Sequence, residues 1–313
     1  MQGLEPQAAA GLGWPRAGVR LGRSIEAMRY EAPETLDAAV ALLAGAGGPA
    51  RLLAGGTDLL VQLRAGVIEP ELVVDVKRIA EMRQITAEDG GFRIGAAVSG
   101  AELGEHALVR RMWPGVVEAV ELIGSTQIQG RATMVGNLCN ASPAADSVPA
   151  LIAAGAIVAV QGPGGRREVP VEEMCIAPGK TSLAQGEIVT SVFLPARPAR
   201  TGNAYLRFIP RTEMDIAVVG AGVCLSLDES GSCTAARVGL GAVAARPLLV
   251  TEAADALIGT AVDAAALESL AQAASAACRP IDDKRGTKEY RIKVAGVLAR
   301  RAAAIALARA REN

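Results

Sequence analysis

The segment Leu52-Leu53-Ala54-Gly55-Gly56-Thr57-Asp58-Leu59 decides how the N-terminal part of the chain folds. Its apolar start is typical of a short buried strand, its paired glycines of a tight turn, and residues 59–65 of a helix. Paired glycines allow a backbone to approach a pyrophosphate closely, and Thr57 can add a hydroxyl donor. The octapeptide also fits a plain strand-to-helix turn in which Asp58 is the N-cap. Both interpretations stay open on these eight residues alone.

The flanking sequence extends this turn into a β-turn-α-β unit. Upstream, apolar residues spaced to cover one helix face predict a helix over 36–43, which the glycines and proline of 45–49 end. Downstream, residues 71–76 predict the next strand. Such a unit offers backbone N–H groups to a ligand at its turn.

A second segment of similar chemistry, residues 130–146, lies further along the chain. It combines Gly130-Arg131-Ala132-Thr133-Met134-Val135-Gly136-Asn137 with Ala141-Ser142-Pro143-Ala144-Ala145-Asp146 and carries few charges. Two such loops can close on one ligand, and a bent cofactor with a central diphosphate needs donors from both sides. The small residues leave room for a ring system, and Asp146 could accept hydrogen bonds from ribityl or ribose hydroxyls. A surface loop is the other interpretation, which the low charge disfavours.

The remaining pattern alternates strands and helices on both sides of a proline- and arginine-rich stretch at 195–202. We place a domain boundary in that stretch. Strands are predicted at 92–97, 169–171, 187–194, 204–208, 217–227 and 234–241, helices at 103–109 and 113–123, strands or a helix–strand pair at 151–160, and an alanine-rich helical tail up to residue 310.

Composition excludes several classes of protein. Half of the 313 residues are hydrophobic and 21% are charged, which is a globular profile. Because 32 basic residues balance 33 acidic ones, no long-range field attracts nucleic acid or an anionic membrane. The five cysteines include no C-x-x-C pair, so neither a disulfide framework nor a metal site is indicated and a reducing cytoplasm fits. No apolar run approaches the ~20 residues of a membrane span.

The first 27 residues have no helix or strand period and no apolar core of the signal-peptide type. We expect 1–27 to be a flexible N-terminal extension that folding and ligand binding do not require. Whether Met1 or Met28 is the natural start stays open.

Three weaker motifs do not support other enzyme classes. Gly179-Lys180-Thr181 mimics the end of a P-loop, but Met174 stands where the first glycine is required. The glycine pairs Gly220-Ala-Gly222 and Gly239-Leu-Gly241 lack the third glycine of a dinucleotide fingerprint and are interpreted as strand glycines. His106 is the only histidine and no G-x-S-x-G elbow exists, so a hydrolase is disfavoured and His106 is expected to face solvent from a helix.

The two loops together resemble the FAD-binding segments of molybdenum hydroxylase flavoproteins. The resemblance rests on A-G-G-T-D-L-L at 54–60 and R-A-T-M-V-G-N-L-C-N-A-S-P-A-A-D at 131–146. That family includes the FAD subunits of bacterial xanthine dehydrogenases, carbon monoxide dehydrogenases and 4-hydroxybenzoyl-CoA reductases. The resemblance covers roughly residues 28–301, and further pieces match in the family's order. They are P-G-K-T at 178–181, E-I-V at 187–189, Tyr205 with Arg207, D-I-A at 215–217, P-I-D-D at 280–283 and E-Y-R at 289–291.

The resemblance implies an α/β (α+β) fold with a PCMH-type, two-subdomain FAD-binding domain at 28–198. Its subdomains are expected at about 28–80 and 81–198, and a smaller C-terminal α/β domain of the molybdenum-hydroxylase flavoprotein type at 203–306.

It also implies a non-covalent FAD site, with no catalytic residue and no metal ligand in this chain. Two positions depart from the family. Val135 stands where relatives often have the first glycine of T-x-G-G-N, and Arg207 where many carry a lysine thought to lie close to the flavin; an ordinary strand-edge arginine is the alternative. The expected cofactor contacts are Leu53, Ala54, Gly55, Gly56, Thr57, Asp58 and Leu59 around the diphosphate, Thr133, Gly136, Asn137, Ala145 and Asp146 from the second segment, Ile188 and Val189 as apolar cover, and Arg207.

The function implied is that of the FAD-binding electron-transfer subunit of a heteromeric molybdenum hydroxylase of the xanthine dehydrogenase family. Electrons would originate at a large molybdopterin subunit, pass through [2Fe-2S] clusters of a small partner to this chain, and leave to NAD or another acceptor. The complex would be a cytoplasmic heterotrimer or a dimer of heterotrimers. Residues 130–146 either face that iron–sulfur partner or are buried around FAD. Two alternatives stay open: a stand-alone FAD oxidoreductase of the vanillyl-alcohol-oxidase-like type, with Cys139 as a conceivable flavin tether, and a non-catalytic nucleotide-binding assembly protein.

Overall fold

The computed structural model describes residues 28–212 and 214–313. Within these residues the chain forms three main β-sheets and a two-stranded ribbon, with helices packed between and around them. The expected extension, 1–27, lies outside the described residues. None of the helices in the described part is long and apolar enough to cross a membrane.

The first sheet contains the glycine turn. Its three strands are all parallel, in the order β1-β3-β2, so β2 and β3 end side by side with Leu53 opposite Asp75. The predicted β-turn-α-β unit is therefore confirmed. Asp58 occupies the N-cap position of α2, as the alternative interpretation expected, although its side chain makes no capping hydrogen bond. The elements are β1 (Arg29–Glu31), α1 (Leu36–Ala44), β2 (Ala50–Leu53), α2 (Leu59–Arg64) and β3 (Leu72–Asp75).

The second sheet has five antiparallel strands in the order β4-β5-β10-β6-β7, and the two-stranded ribbon is β8-β9. Its apolar strand residues form one continuous core with the helices that follow β5. The elements are β4 (Ile85–Glu88), β5 (Gly91–Gly95), α3 (Gly100–Glu105), α4 (Ala107–Met112), α5 (Pro114–Glu121), α6 (Thr126–Gln129), α7 (Met134–Cys139), α8 (Ser147–Ala154), β6 (Ile157–Gly162), β7 (Gly165–Pro170), β8 (Cys175–Ala177), β9 (Lys180–Thr181) and β10 (Ile188–Leu194).

Two predictions for this part are wrong. The helix expected at 103–109 is divided at His106, whose Nδ1 accepts the Val109 N–H at 3.3 Å and caps α4, so His106 is a half-buried cap rather than a solvent-facing residue. Residues 130–146 are not one long loop, because α7 forms in their middle. Thr133 provides the N-cap that starts this helix, with its Oγ1 accepting the Gly136 N–H at 2.9 Å.

The C-terminal part is a four-stranded antiparallel sheet covered by alanine-rich helices. Its strands lie in the order β11-β12-β13-β14, and a second core fills the space beneath the helices. A Cβ at Gly202 would lie 1.9 Å from the Ala306 carbonyl oxygen, so the last helix packs almost backbone to backbone on the first strand. The elements are β11 (Thr201–Phe208), β12 (Val219–Leu227), β13 (Cys233–Gly241), β14 (Leu248–Leu249), α9 (Thr251–Asp255), α10 (Ala264–Ala277) and α11 (Lys288–Glu312).

Helix α8 joins the two cores. All eight of its residues are buried, and its Pro149 carbonyl would meet a Cβ at Gly222 or Gly239 at 2.5 or 2.2 Å. The interpretation of these glycines as strand glycines is confirmed, and their physical reason is close packing against α8.

Candidate functional site

A cleft of about 920 Å³ opens beyond the carboxyl ends of β2 and β3. It lies between the glycine loop, residues 54–59, and the second loop, residues 131–140, with the start of β10 as part of its wall. The carboxyl edge of a parallel sheet is where α/β folds bind ligands, and the volume is within the range of cofactor sites. The structure therefore brings the two sequence-predicted segments to one cavity.

The two glycines of the glycine loop serve different purposes. Gly55 lines the cleft, and a Cβ there would lie 1.9 Å from the Arg131 carbonyl oxygen. Gly56 is buried with a φ of +80°, and its added Cβ would meet Leu53 at 2.8 Å. Gly55 thus permits the contact of the two loops, whereas Gly56 permits the left-handed turn.

The glycine loop presents a row of backbone donors. Among the described residues, none accepts a hydrogen bond from the N–H groups of residues 55–59, although Leu60 already donates to the Gly56 carbonyl at 3.0 Å. Backbone N–H groups without partners at the start of a helix are suited to bind phosphate oxygens. This is the chemistry that a dinucleotide diphosphate requires.

The second loop adds an oriented amide. The Asn137 Oδ1 accepts the Ser147 backbone N–H at 3.1 Å and the Ser147 hydroxyl at 2.7 Å. Since a backbone N–H can only donate, the carbonyl end of Asn137 must face Ser147, which leaves its NH₂ group to donate. Asn137 lines the cleft, so this NH₂ group is available to a ligand.

One part of the cleft wall is apolar. Ile188 and Val189, at the start of β10, line the cleft and are buried at 1% and 3% exposure. Val135 fits without strain, because it is an ordinary residue of α7 with a buried side chain and is not among the residues with positive φ. The valine in place of the family's glycine is therefore accommodated by the helix.

Ten of the sequence-predicted residues line the cleft and five do not. Leu53 and Gly56 support the glycine loop from behind, and Ala145, Asp146 and Arg207 lie outside the lining. Those that line it are Ala54, Gly55, Thr57, Asp58, Leu59, Thr133, Gly136, Asn137, Ile188 and Val189.

Asp146 and Arg207 instead form a buried ion pair between the two parts of the chain. Arg207 donates to Asp146 at 2.9 Å and to the Leu122 carbonyl at 2.8 Å, and Tyr205 Oη donates to the other Asp146 oxygen at 3.0 Å. Burial raises the pKa of Asp146 to about 6, although Arg207 and Tyr205 both favour its charged form. The expected hydroxyl contact of Asp146 and flavin contact of Arg207 are not what this geometry provides.

Part of the lining consists of residues that the sequence motifs did not indicate. Gln62 of α2 donates to the Asn140 Oδ1 at 3.1 Å and joins the two loops at the cleft. The segment before β10 contributes another wall of the cleft. Its run of small and polar residues is the sequence feature that could have indicated this role. Its lining residues are Gly179, Thr181, Leu183, Ala184, Gln185, Gly186 and Glu187.

Nucleophiles in and near the cleft are poorly suited to hold a flavin covalently. Cys139 lines the cleft, but burial raises the pKa of its thiol to about 12, so it stays protonated. The His106 ring packs edge-on against Phe92, with its centroid at 5.6 Å, and is occupied as a helix cap. Within the described residues no cluster of three or more potential metal ligands occurs.

A second cavity, of about 450 Å³, lies on the polar face of the five-stranded sheet. Paired charges fill its lining, including Arg93, which donates to both carboxylate oxygens of Glu88. It contains no residue of either loop, so the chemistry described above belongs to the larger cleft.

Comparison with known proteins agrees with this architecture. Residues 26–197 match the family model described as the FAD binding domain in molybdopterin dehydrogenase, and residues 204–306 match the C-terminal domain of the CO dehydrogenase flavoprotein. The chain is 34% identical to the carbon monoxide dehydrogenase medium chain of Hydrogenophaga pseudoflava, over 90% of this chain and 97% of that one. It is 32% identical to the xanthine dehydrogenase FAD-binding subunit of Escherichia coli O157:H7, over 90% of this chain and 96% of the other.

Solved structures show the same similarity. The CO dehydrogenase from Oligotropha carboxidovorans superposes with a TM-score of 0.86 at 34% identity, covering 90% of this chain and 98% of its counterpart. Quinoline 2-oxidoreductase from Pseudomonas putida 86 gives 0.83 at 27% identity, with 91% and 98% covered. The chain therefore belongs to the family of FAD-binding medium subunits of the molybdenum hydroxylases.

Proposed function

We propose that this chain is the electron-transfer subunit of a heteromeric molybdenum hydroxylase, receiving electrons from [2Fe-2S] clusters of a partner and passing them to NAD or another acceptor. The observation that supports this most is the set of backbone N–H groups at 55–59 for which no described residue is an acceptor, since four of these five residues line a cleft that the second loop closes. When bound there, FAD supplies the redox chemistry, and the protein supplies binding, orientation and electrostatics.

The described residues divide this binding task between them. Backbone N–H groups of Gly55 and Thr57 hold the diphosphate, and the oriented NH₂ group of Asn137 donates from the opposite side. Ile188 and Val189 exclude water from one face of a ring system. Leu53 and Gly56 keep the glycine loop in shape without touching the ligand.

The partners follow from the kind of proteins that this chain resembles. Two relatives are named as the medium chains of carbon monoxide dehydrogenases, and another as subunit alpha of a dehydrogenase complex from Paenarthrobacter nicotinovorans. We therefore place the chain in a heterotrimer, or a dimer of heterotrimers, with a large molybdopterin subunit and a small [2Fe-2S] subunit. The five free thiols fit a reducing compartment, and the proposed location is the cytoplasm.

We propose that most of residues 130–146 forms a wall around FAD rather than the contact surface for the iron–sulfur subunit. Apart from the exposed Gly130 and Arg131, this segment is buried or half-buried, which favours its role as a wall around FAD. The stand-alone oxidase alternative gains no support, since neither Cys139 nor His106 is suited to tether a flavin.

The test is reconstitution of the purified full-length chain with FAD, followed by co-expression with the two partner genes. We expect one FAD per chain, released by denaturation and absorbing near ~450 nm, with hydroxylase turnover only in the complex. Asn137→Asp should weaken FAD binding at least ~10-fold, because a carboxylate keeps the Ser147 contact but repels the diphosphate. Gln127→Glu, which adds the same charge on exposed α6, should leave FAD affinity unchanged. A colourless chain after reconstitution would favour the assembly-protein alternative, and substrate oxidation by the chain alone would overturn the relay.

A further inference from the structure

Next to the glycine loop, and outside the cleft lining, lies a chain of three polar side chains. Tyr30 Oη donates to Asp75 at 2.6 Å, and both Asp75 oxygens accept from the Lys77 ammonium at 2.8 Å. Lys77 also donates to the Ala54 carbonyl oxygen at 3.0 Å. None of these three side chains belongs to the cleft lining.

The parallel pairing of the first sheet brings this group to the loop. Asp75 ends the central strand β3 opposite Leu53, the last residue of β2, so the residue after Leu53 lies within reach of Lys77. Asp75 is 6% exposed, and its hydrogen bonds from Lys77 and Tyr30 lower its pKa in spite of burial, so it is charged at neutral pH. Because an unpaired buried charge is strongly destabilising, the Asp75 carboxylate keeps the Lys77 ammonium in a fixed position.

The position of the Ala54 carbonyl determines the direction of the next N–H group. Peptide bonds of the described residues contain no cis form, and in a planar trans peptide the C=O and N–H bonds point in opposite directions. Because Lys77 donates to the Ala54 oxygen, the Gly55 N–H points away from Lys77, and Gly55 itself lines the cleft. No described residue accepts a hydrogen bond from this N–H group.

We infer that Lys77, clamped by Asp75 and Tyr30, is a positioning residue that aims the Gly55 N–H at the cofactor diphosphate. The inference rests on the proposed FAD site. Lys77 acts through the Ala54–Gly55 peptide rather than as a direct phosphate ligand, because Asp75 neutralises its charge locally. Without this hydrogen bond the peptide is free to rotate, and the glycine on its far side offers little resistance.

The experiment compares Lys77→Met, Lys77→Arg and Lys284→Met in the full chain, with FAD affinity measured by flavin fluorescence. Lys284 is exposed and does not line the cleft, so Lys284→Met is a control that removes one positive charge, as Lys77→Met does. Lys77→Met should weaken FAD binding ~10-fold or more, which corresponds to ~1.4 kcal/mol, whereas Lys77→Arg, which retains donors, should stay within ~3-fold of wild type. Lys284→Met should bind as wild type does.

A second measurement reports on the peptide itself. In apo-protein labelled with ¹⁵N-glycine, Lys77→Met should move the Gly55 amide resonance and reduce its shift on FAD addition, while Lys77→Arg restores both. Tyr30→Phe, which removes only the hydroxyl of an exposed ring, should produce a smaller change in the same direction and serves if Lys77→Met fails to fold.

The outcomes separate this inference from the proposed function. Wild-type chain that fails to bind FAD would overturn the proposed function itself. If the wild type binds FAD and Lys77→Met binds it with the same affinity, the positioning role alone is overturned. The positioning role is also overturned if Lys77→Met binds FAD more weakly but its Gly55 resonance does not move, because Lys77 then acts through its charge.

Discussion

Gly55 and Gly47 both line the cleft, but the structure leaves room for a side chain at only one of them. A Cβ at Gly55 would lie 1.9 Å from the Arg131 carbonyl oxygen, whereas a Cβ at Gly47 would meet nothing within 4 Å. We predict that Gly55→Ala lowers the free energy of unfolding by ~1–3 kcal/mol and weakens FAD binding, because the two loops must separate. Gly47→Ala should leave the free energy of unfolding equal or slightly higher, because its Cβ meets no protein atom. Urea unfolding and FAD titration of both variants provide the measurement, and equal behaviour of the two would contradict contact between the loops.

The predicted site residues that line the cleft belong to short local segments of the sequence. Gly55, Thr57 and Asn137 belong to short segments that curve around the cleft, so their place in the sequence is enough to find them. Asp146 follows the same loop by only a few residues, yet its side chain turns to Arg207 and Tyr205 of a strand much later in the chain. No local pattern contains that information.

At the scale of secondary-structure elements, α7 shows how a segment without an evident helical pattern becomes a helix. Its six residues include a glycine and an asparagine, which have low helix propensity, so the sequence favours a loop. The Thr133 cap and the burial of Met134, Val135 and Leu138 in the core stabilise the helix instead. Tertiary packing therefore outweighs local propensity here.

The Thr133 cap supports a second prediction. Thr133→Val removes the Oγ1 acceptor of the Gly136 N–H while keeping the side chain's shape, and should lower the free energy of unfolding by ~0.5–2 kcal/mol. Because Gly136 and Asn137 line the cleft, FAD affinity should fall as well. Thr133→Ser retains the acceptor and should bind FAD like the wild type. Fluorescence titration checks this, and a Thr133→Val protein with wild-type FAD affinity would show that α7 holds its position without the cap.

At the scale of the whole molecule, hydrogen bonds join the C-terminal sheet to the helices of the FAD-binding part. Asn203 of β11 accepts the Gly115 N–H at 2.8 Å and donates to the Met112 carbonyl at 3.1 Å. Arg237 of β13 donates to Glu172 at 2.9 Å. Together with buried α8, these contacts lead us to expect that the two parts unfold together.

The buried Asp146–Arg207 pair in this contact region should make stability depend on pH. In the folded protein the pKa of Asp146 is about 6, above the ordinary 3.8, so the folded state binds the proton of this carboxyl group more tightly than the unfolded state does. The stabilisation that the protonated Asp146 gives to the folded state is therefore fully present below pH 3.8 and is lost as the pH rises to about 6. The free energy of unfolding falls by up to ~3 kcal/mol over this range. Urea unfolding of wild type and Asp146→Asn between pH 4 and 8 provides the measurement. The free energy of unfolding of wild type, relative to that of the variant, should fall as the pH rises to about 6 and should then stay constant. A relative stability that rises with pH would mean that attraction to Arg207 outweighs desolvation.

The amino-acid sequence alone was enough to predict the β-turn-α-β unit, the strand glycines, the family and the two segments that line the cleft. These follow from apolar periodicity, from glycines at turns and from short segments, all of which act between residues close in the chain. Three features could be seen only in the folded protein: the pairing of Asp146 with Arg207, the capping of α4 by His106, and the hydrogen bond from Lys77 to the Ala54 carbonyl. The physical reason is that the direction of a side chain or peptide depends on the partners that packing brings to it, and those partners come from distant parts of the sequence.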